Sequence, residues 1–434
     1  MAVPFVNVAR VPELRRRLLF TLALLAIYRL GVFVPTPGVN LEAVKRVVTS
    51  GTVFDIFNLF SGGALEQFSV FALGIMPYIS ASIILQLMTV AVPTLERLSK
   101  EGESGRKKIT QYTRYGTIAL SLFQGFGISF GLVQQGVLLP GVNPLSFYFT
   151  TMITLAAGTS FIMWLGEQIS ERGIGNGISL IIFAGIVTRI PGGFRDAWAT
   201  KEQFAGLFGF LLLLAFIFTV IGFIIFFERS HRRIPIQYAK RVVGRKMYGG
   251  QSTHLPLKIN SAGVIPPIFA SSLILFPATI AQFFPNPALQ SLSGLFGAGW
   301  LHDALYVALI IFFTYFYTAV TFNPADVAEN IQKYGGFIPG IRPGQSTSDH
   351  IDKILARITL GGALYMAAIC VLPQFLISRF GIPSSLAFTF GGTSLLIVVG
   401  VAMDTLAQIE AHLLSRNYEG LMGEGSGRFR GRRG

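Results

Sequence analysis

Ten apolar runs follow one another along the chain, at 18–34, 68–92, 116–133, 147–166, 174–190, 204–227, 261–284, 304–322, 354–377 and 386–409. Each is long enough to cross a hydrocarbon core of about 30 Å as a helix. The pattern predicts an all-α polytopic membrane protein of ten transmembrane helices. Between the first two runs lies a stretch that fits neither a span nor a plain loop, Val53-Phe-Asp-Ile-Phe-Asn-Leu-Phe-Ser-Gly-Gly-Ala-Leu-Glu-Gln-Phe-Ser69. Its eight mostly apolar residues Val53 to Phe60 would rise only about 12 Å as a helix, and Ser61-Gly62-Gly63 interrupts them before the second run begins.

An even number of spans puts both termini on one side. Of the 35 Lys and Arg residues, only Lys45, Arg46, Arg189, Arg195, Lys201 and Arg379 fall in loops of the other side, with Arg29 near the outer end of span 1. The basic side is the cytoplasmic one. Composition agrees: 52% of the 434 residues are hydrophobic, 13% are charged, and the mean hydropathy is +0.59. The net charge of +14 suits anionic lipid headgroups and acidic or RNA-containing partners. The first run follows Arg15-Arg16-Arg17 without a small-residue cleavage site behind it, so it reads as a retained span. A single cysteine, Cys370, supplies neither a disulfide framework nor a thiolate metal site.

The second span of each five-span half carries the same short pattern. Gly-Ile-Met-Pro-Tyr-Ile-Ser-Ala-Ser at 74–82 answers Gly-Val-Ile-Pro-Pro-Ile-Phe-Ala-Ser at 263–271. Because five is odd, the halves cross the membrane in opposite senses, the inverted arrangement of many transport proteins. Proline inside a span frees a carbonyl, and such breaks are tolerated where they line a cavity or pack on a neighbour. Small residues around Ser80, Ser82 and Ser271 allow close helix contact with little apolar adhesion.

The chemistry inside the spans is sparse. Spans 2, 3, 4, 6, 7 and 8 hold no Asp, Glu, Lys, Arg or His, a poor inventory for ion coupling. The five histidines are scattered, which makes a metal site improbable. Gly-Glu-Ser-Gly-Arg-Lys-Lys at 102–108 lacks phosphate-loop spacing, and Gly-Ile-Gly-Asn-Gly at 173–177 sits where a helix opens, so both read as turns. No cofactor and no catalytic set is expected, and work must come from a partner. Three cytoplasmic loops offer docking surface. The loop at 228–260 alternates basic and apolar residues and predicts a β-hairpin, and 335–346 flanks Arg342 with Gly and Pro at a rigid tip. The tail at 412–434 is basic, and its end at 423–434 has the composition of a disordered segment.

Seven stretches in register, FNLFSGGAL, FALGIMPYISASIILQL, EGESGRKKITQYTRYG, MWLGEQISERGIGNGIS, QSTHLPLKINSAGVIPPIFASS, FIPGIRPGQST and GGTSLLIVV, resemble the SecY family, central subunits of bacterial Sec protein-translocation channels. The resemblance implies two inverted five-helix halves around a central pore, at 1–190 and 204–411, joined by an external hinge at 191–203. It implies a plug within 53–67, carried by Phe54, Ile56, Phe57, Leu59, Phe60, Gly62 and Gly63, and a pore ring of Ile75, Ile79, Ile182, Ile268 and Ile397. A lateral gate would include Ser80, Ser82, Gln86, Pro266 and Ser271, and Arg245, Lys246 and Arg342 would face the SecA motor ATPase or the ribosome. Implied partners are SecE, SecG, signal sequences, nascent polypeptides and anionic lipids, in the bacterial inner membrane with both termini cytoplasmic. A second reading is a secondary transporter with an inverted five-plus-five repeat, in which Pro77 and Pro266 frame a small-molecule site.

Overall fold

The computed structural model describes residues 11–48, 58, 61–199, 206–238, 241–243, 246–248, 252–283, 299–380, 387 and 391–426. A helix lies on each of the ten expected spans. The helices are α1 (Pro12–Gly31), α2 (Leu41–Val48), α3 (Met76–Ala91), α4 (Pro93–Lys100), α5 (Glu103–Gln134), α6 (Pro144–Arg172), α7 (Gly177–Val187), α8 (Ile190–Ala199), α9 (Gly206–Arg229), α10 (Ile265–Phe283), α11 (Trp300–Thr321), α12 (Pro324–Lys333), α13 (Gln345–Phe380) and α14 (Gly392–Ser426). Among the described residues, seven helices are long and apolar enough to cross a membrane, or eight if α3 and α4, bent by 99° at Val92, count as one span. The chain forms two compact units. One contains Met1–Phe194, Ala278–Gln290 and Val401–Gly434, and the other Arg195–Pro277 and Ser291–Gly400.

The first unit is held by close backbone approach at glycine. A Cβ on Gly158 of α6 would overlap the Val70 carbonyl, and one on Gly177 of α7 would overlap the Gly166 carbonyl of α6. A bidentate pair, Arg114 to Glu167 with both contacts at 2.8 Å, ties α5 to α6, the planar fork matching the carboxylate. The 173–177 turn opens α7 as expected. Asn176 caps it by accepting from the Ile178 and Ser179 amides, Thr21 of α1 accepts from the Ile174 amide at 3.1 Å, and Gln408 of α14 accepts from Gly175 at 2.9 Å.

The second unit contains the expected cytoplasmic hairpin. Strand β1 (His231–Tyr238) pairs antiparallel with β4 (Ser252–Lys258) in the register Ile234 to Leu255 and Ile236 to Thr253. Its far edge takes β5 (Gly336–Phe337), and β2 (Arg241–Val243) pairs with β3 (Lys246–Tyr248) as a separate ribbon. The period of two along β1 buries Ile234 and Ile236 while His231, Arg232 and Arg233 face out. The buried face joins Leu257, Ile331, Ile338 and Ile351, so sheet, α12 and α13 share one core. Deeper in the unit, Phe227 of α9 stacks flat on Tyr365 of α13 at 4.4 Å.

Two expectations need correction. The second span does not begin at 68: residues 61–75 form successive turns, and helix starts only at Met76. Nor do the repeat prolines break spans from inside. Pro77 stands in the first turn of α3 and Pro266 in the first turn of α10, where proline's missing amide has no partner to lose. The break comes from the glycine three residues earlier in each repeat. Gly74 has φ +57 and Gly263 φ +63, left-handed values that force a turn before the helix. The two repeats are thus built alike in backbone as well as sequence.

Alanine at either glycine meets a left-handed backbone costing about 1–2 kcal/mol. At Gly74 the Cβ would also come within 3.3 Å of Ser61, whereas at Gly263 nothing lies within 4 Å. In thermal unfolding of the detergent-solubilised protein, Gly74→Ala is therefore expected to lower stability more than Gly263→Ala. Pro77→Ala should stay within about 1 kcal/mol of the parent.

Candidate functional site at the entry to the second span

The turn segment 61–75 is held by a dense set of hydrogen bonds to itself, to Asn58 and to the loop after α1. Asn58 and Ser61, both almost completely buried, form its foot. The Asn58 carbonyl accepts from the Gly63 amide at 3.0 Å and from the Ser61 hydroxyl at 3.2 Å. The Asn58 side chain accepts from the Glu66 amide at 3.1 Å and donates to the Glu66 carboxylate at 3.4 Å. Ser61 Oγ accepts in turn from the Leu65 amide at 3.4 Å. Phe68, in a left-handed conformation with φ +41, is fully buried and stacks on Phe147 at 6.4 Å. Around it the chain pairs with the loop after α1: Thr36 donates to the Phe68 carbonyl at 2.8 Å and Val70 to Val34 at 2.9 Å. Phe71 then stacks between Tyr28 and Phe161, with centroids at 5.9 and 6.0 Å.

Two side chains of α1 take the carbonyls at the foot of this knot. Tyr28 Oη donates to Ser61 O at 3.1 Å, and Arg29 Nη1 donates to Gly62 O at 2.8 Å. Arg29 also lies over the Phe33 ring, 5.3 Å from its centroid. The two glycines of the expected plug differ sharply. Gly62, φ +66, packs so closely on α7 that a Cβ would stand 2.6 Å from the Gly185 Cα, whereas Gly63, φ +90, has nothing within 4 Å. Gly62 is a close-approach glycine, and Gly63 is the open one.

Of the expected ring, Ile75, Ile79 and Ile182 are buried in the first unit. Ile75 caps α3 and Ile79 follows one turn on, its amide bonded to the Ile75 carbonyl at 3.1 Å. Ile268 and Ile397 are buried in the second unit, on α10 and α14. Ile79 and Ile268 each stand five residues after the left-handed glycine of their repeat. Of the expected gate residues, Ser80, Ser82 and Gln86 are half-buried on α3, with Gln86 Nε2 donating to Ser82 Oγ at 3.3 Å. Pro266 is buried, and Ser271 donates to the Ile268 carbonyl at 2.9 Å. On the cytoplasmic loops Arg342 is exposed at a tip whose backbone is fixed. Gly340 and Gly344 have φ +81 and +101, and Thr347 Oγ1 donates to the Arg342 carbonyl at 2.9 Å. Lys246 opens β3. Phe54, Ile56, Phe57, Leu59, Phe60 and Arg245 lie outside the described residues. Sequence reading missed Tyr28, Asn58 and Phe68. The available signal was a Tyr-Arg pair near the end of an otherwise apolar span.

Comparison with known proteins fits this arrangement. The SecY family model matches residues 69–406. The protein translocase subunit SecY of Pseudomonas aeruginosa is 50% identical, covering 96% of each chain. That of Escherichia coli K12 is 52% identical over 94% of this chain and 93% of its own. Among solved structures, a protein-conducting channel superposes with a TM-score of 0.64 at 18% identity over 92% of each chain. A SecY whose plug domain is described as stabilising the closed state gives 0.62 at 18% identity, and canine Sec61 in a ribosome-channel complex gives 0.60 at 16%, each over 92% of both chains. The chain belongs to the SecY family.

Alanine at Gly62 must displace backbone of α7, while alanine at Gly63 meets only conformational strain. Gly62→Ala is expected to cost about 1–3 kcal/mol more than Gly63→Ala, read as the difference between their unfolding free energies in mixed micelles.

Proposed function

We propose that this protein is the channel subunit through which unfolded secretory polypeptides cross the membrane, and from which signal sequences and transmembrane segments leave sideways into lipid. The observation that carries this reading is the paired construction of α3 and α10. In a chain of this family, each repeat sets a left-handed glycine, a first-turn proline and then an isoleucine at the same offset. Ile75, Ile79, Ile182, Ile268 and Ile397 form the constriction. Stiff β-branched side chains make a dewetting collar that offers a passing peptide no hydrogen bonds. The segment 53–67 is the plug on that collar, and Ser80, Ser82, Gln86, Pro266 and Ser271 belong to the lateral gate.

The protein acts as a conduit and not as a catalyst. Its energy comes from the SecA motor ATPase or the ribosome, docked on the cytoplasmic loops through Arg245, Lys246 and Arg342. The rigid, exposed Arg342 tip supports this docking, as does the likeness to a channel solved with a ribosome. SecE and SecG complete the complex, anionic lipids surround it, and the site of action is the bacterial inner membrane with both termini cytoplasmic. The halves at 1–190 and 204–411 open about the 191–203 hinge, and 412–434 is a basic tail.

The test is conductance of the reconstituted protein in planar bilayers. Deletion of residues 53–57 removes Phe54, Ile56 and Phe57 while sparing Asn58 and its bonds. Bursts of ion leak absent from the parent are expected, and a membrane as tight as the parent's overturns the plug assignment. Arg342→Glu should lower motor-driven or ribosome-driven transport at least about tenfold, the factor set by 1.4 kcal/mol, in a vesicle import assay, without changing resting leak.

A further inference from the structure

The geometry points to Tyr28 and Arg29 as a latch that positions the foot of the plug, an assignment that rests on the channel reading above. Three features of the knot carry it. First, the two donors take consecutive carbonyls, Ser61 and Gly62, at 3.1 and 2.8 Å, from one turn of α1. Second, Gly62 itself brings no side chain to its contact, although Ser61, Ala64 and Leu65 around it are buried. Gly62 meets α7 through Gly185, backbone against backbone, a contact with little apolar adhesion. At Gly62 itself the hold comes from the hydrogen bond to its carbonyl, and that bond, from Arg29, is charge-assisted and correspondingly strong. Third, the guanidinium lies on the Phe33 ring at 5.3 Å. When Gly62 is withdrawn the cation keeps that partner, so release does not strand a charge. Tyr28 keeps its stack on Phe71 in the same way. Arg29 is anchored on the Phe33 ring and reaches the knot through its guanidinium alone, whereas Tyr28 reaches it twice, through its hydroxyl at Ser61 and its ring at Phe71.

The test reads the knot directly. In the full-length protein in vesicles, with Cys370→Ser to remove the native thiol, Ala64→Cys places a reporter at a fully buried position of the knot. The reagent is a water-soluble maleimide. Arg29→Met should raise the labelling rate at least about fivefold, the factor expected for losing about 1 kcal/mol of holding free energy. Tyr28→Phe should raise it less, and Arg29→Lys should restore most of the parent behaviour. A control reporter at Ala363→Cys, fully buried in the other unit, should not change. Added to Gly62→Ala, which dislodges the same foot, Arg29→Met should have little further effect, because mutations acting through one contact do not add. Unchanged labelling at position 64, an equal rise at 363, or independent multiplication of the Gly62 and Arg29 effects would each overturn the latch. Labelling does not depend on conductance. A silent 53–57 deletion with raised labelling sinks the plug reading and leaves only the hold of Tyr28 and Arg29 on Ser61 and Gly62, whereas leak without raised labelling keeps the plug and overturns the latch.

Discussion

Backbone that leaves the helix inside an apolar protein must find its hydrogen bonds within the protein, since neither lipid nor apolar side chains can supply one. Residues 61–75 answer that demand at Gly63, Leu65, Glu66, Phe68, Ser69, Val70, Phe71, Ala72 and Gly74, with partners drawn from several parts of the first unit. The loop after α1 gives them a strand-like pairing at Val34 and Thr36. Asn58 and Ser61 substitute for helix carbonyls at the foot, and α1 sends Tyr28 and Arg29 to the carbonyls of Ser61 and Gly62. Glycine at 62 and 158 lets neighbouring helices come close enough to seal the segment. A helix continuing through 61–75 would need none of these partners. It would also carry the chain straight on from the loop, with no knot in front of α3.

The second constraint is the left-handed glycine that opens each broken span. Gly74 and Gly263 end one chain direction, and Pro77 and Pro266 begin the next at a position where proline suits a helix start. The same device occurs twice in segments of opposite predicted sense, which is how an inverted repeat places equivalent isoleucines, Ile79 and Ile268, at equivalent points of two units. In the second unit the counterpart of the organised entrance is the core of sheet, α12 and α13. It carries the outward basic residues of β1 and the fixed Arg342 tip on one rigid support.

Much of this was legible in the residues. A helix lies on each of the ten apolar runs, although among the described residues only seven, or eight with the bent pair, are long and apolar enough to cross. Alternation in 231–238 announced the hairpin, and glycine with proline around Arg342 announced a stiff tip, because each signal is local. The repeat at 74–82 and 263–271 was visible too, but its mechanism was misassigned to the prolines, since φ at the glycine three residues earlier is not written in composition. The start of the second span was misread for a related reason. Val70-Phe-Ala-Leu73 continues the apolar run of α3, so hydropathy cannot distinguish it from helix. What bends it is Phe68 at positive φ, held by Val34, Thr36 and Phe147 from far along the chain. Tyr28 and Asn58 were missed because their roles exist only once those distant segments meet.

Residues 61–75 are built structure and not a loose approach to a span. Amide hydrogen exchange on the reconstituted full-length protein tests this most directly. The account predicts that Gly63, Leu65, Glu66, Ser69, Val70 and Gly74, each an amide donor in the knot, exchange about as slowly as the interior of α6, the mark of backbone that opens only in costly fluctuations. Exchange of these amides at the rate of an unstructured peptide, with α6 still protected, would contradict it.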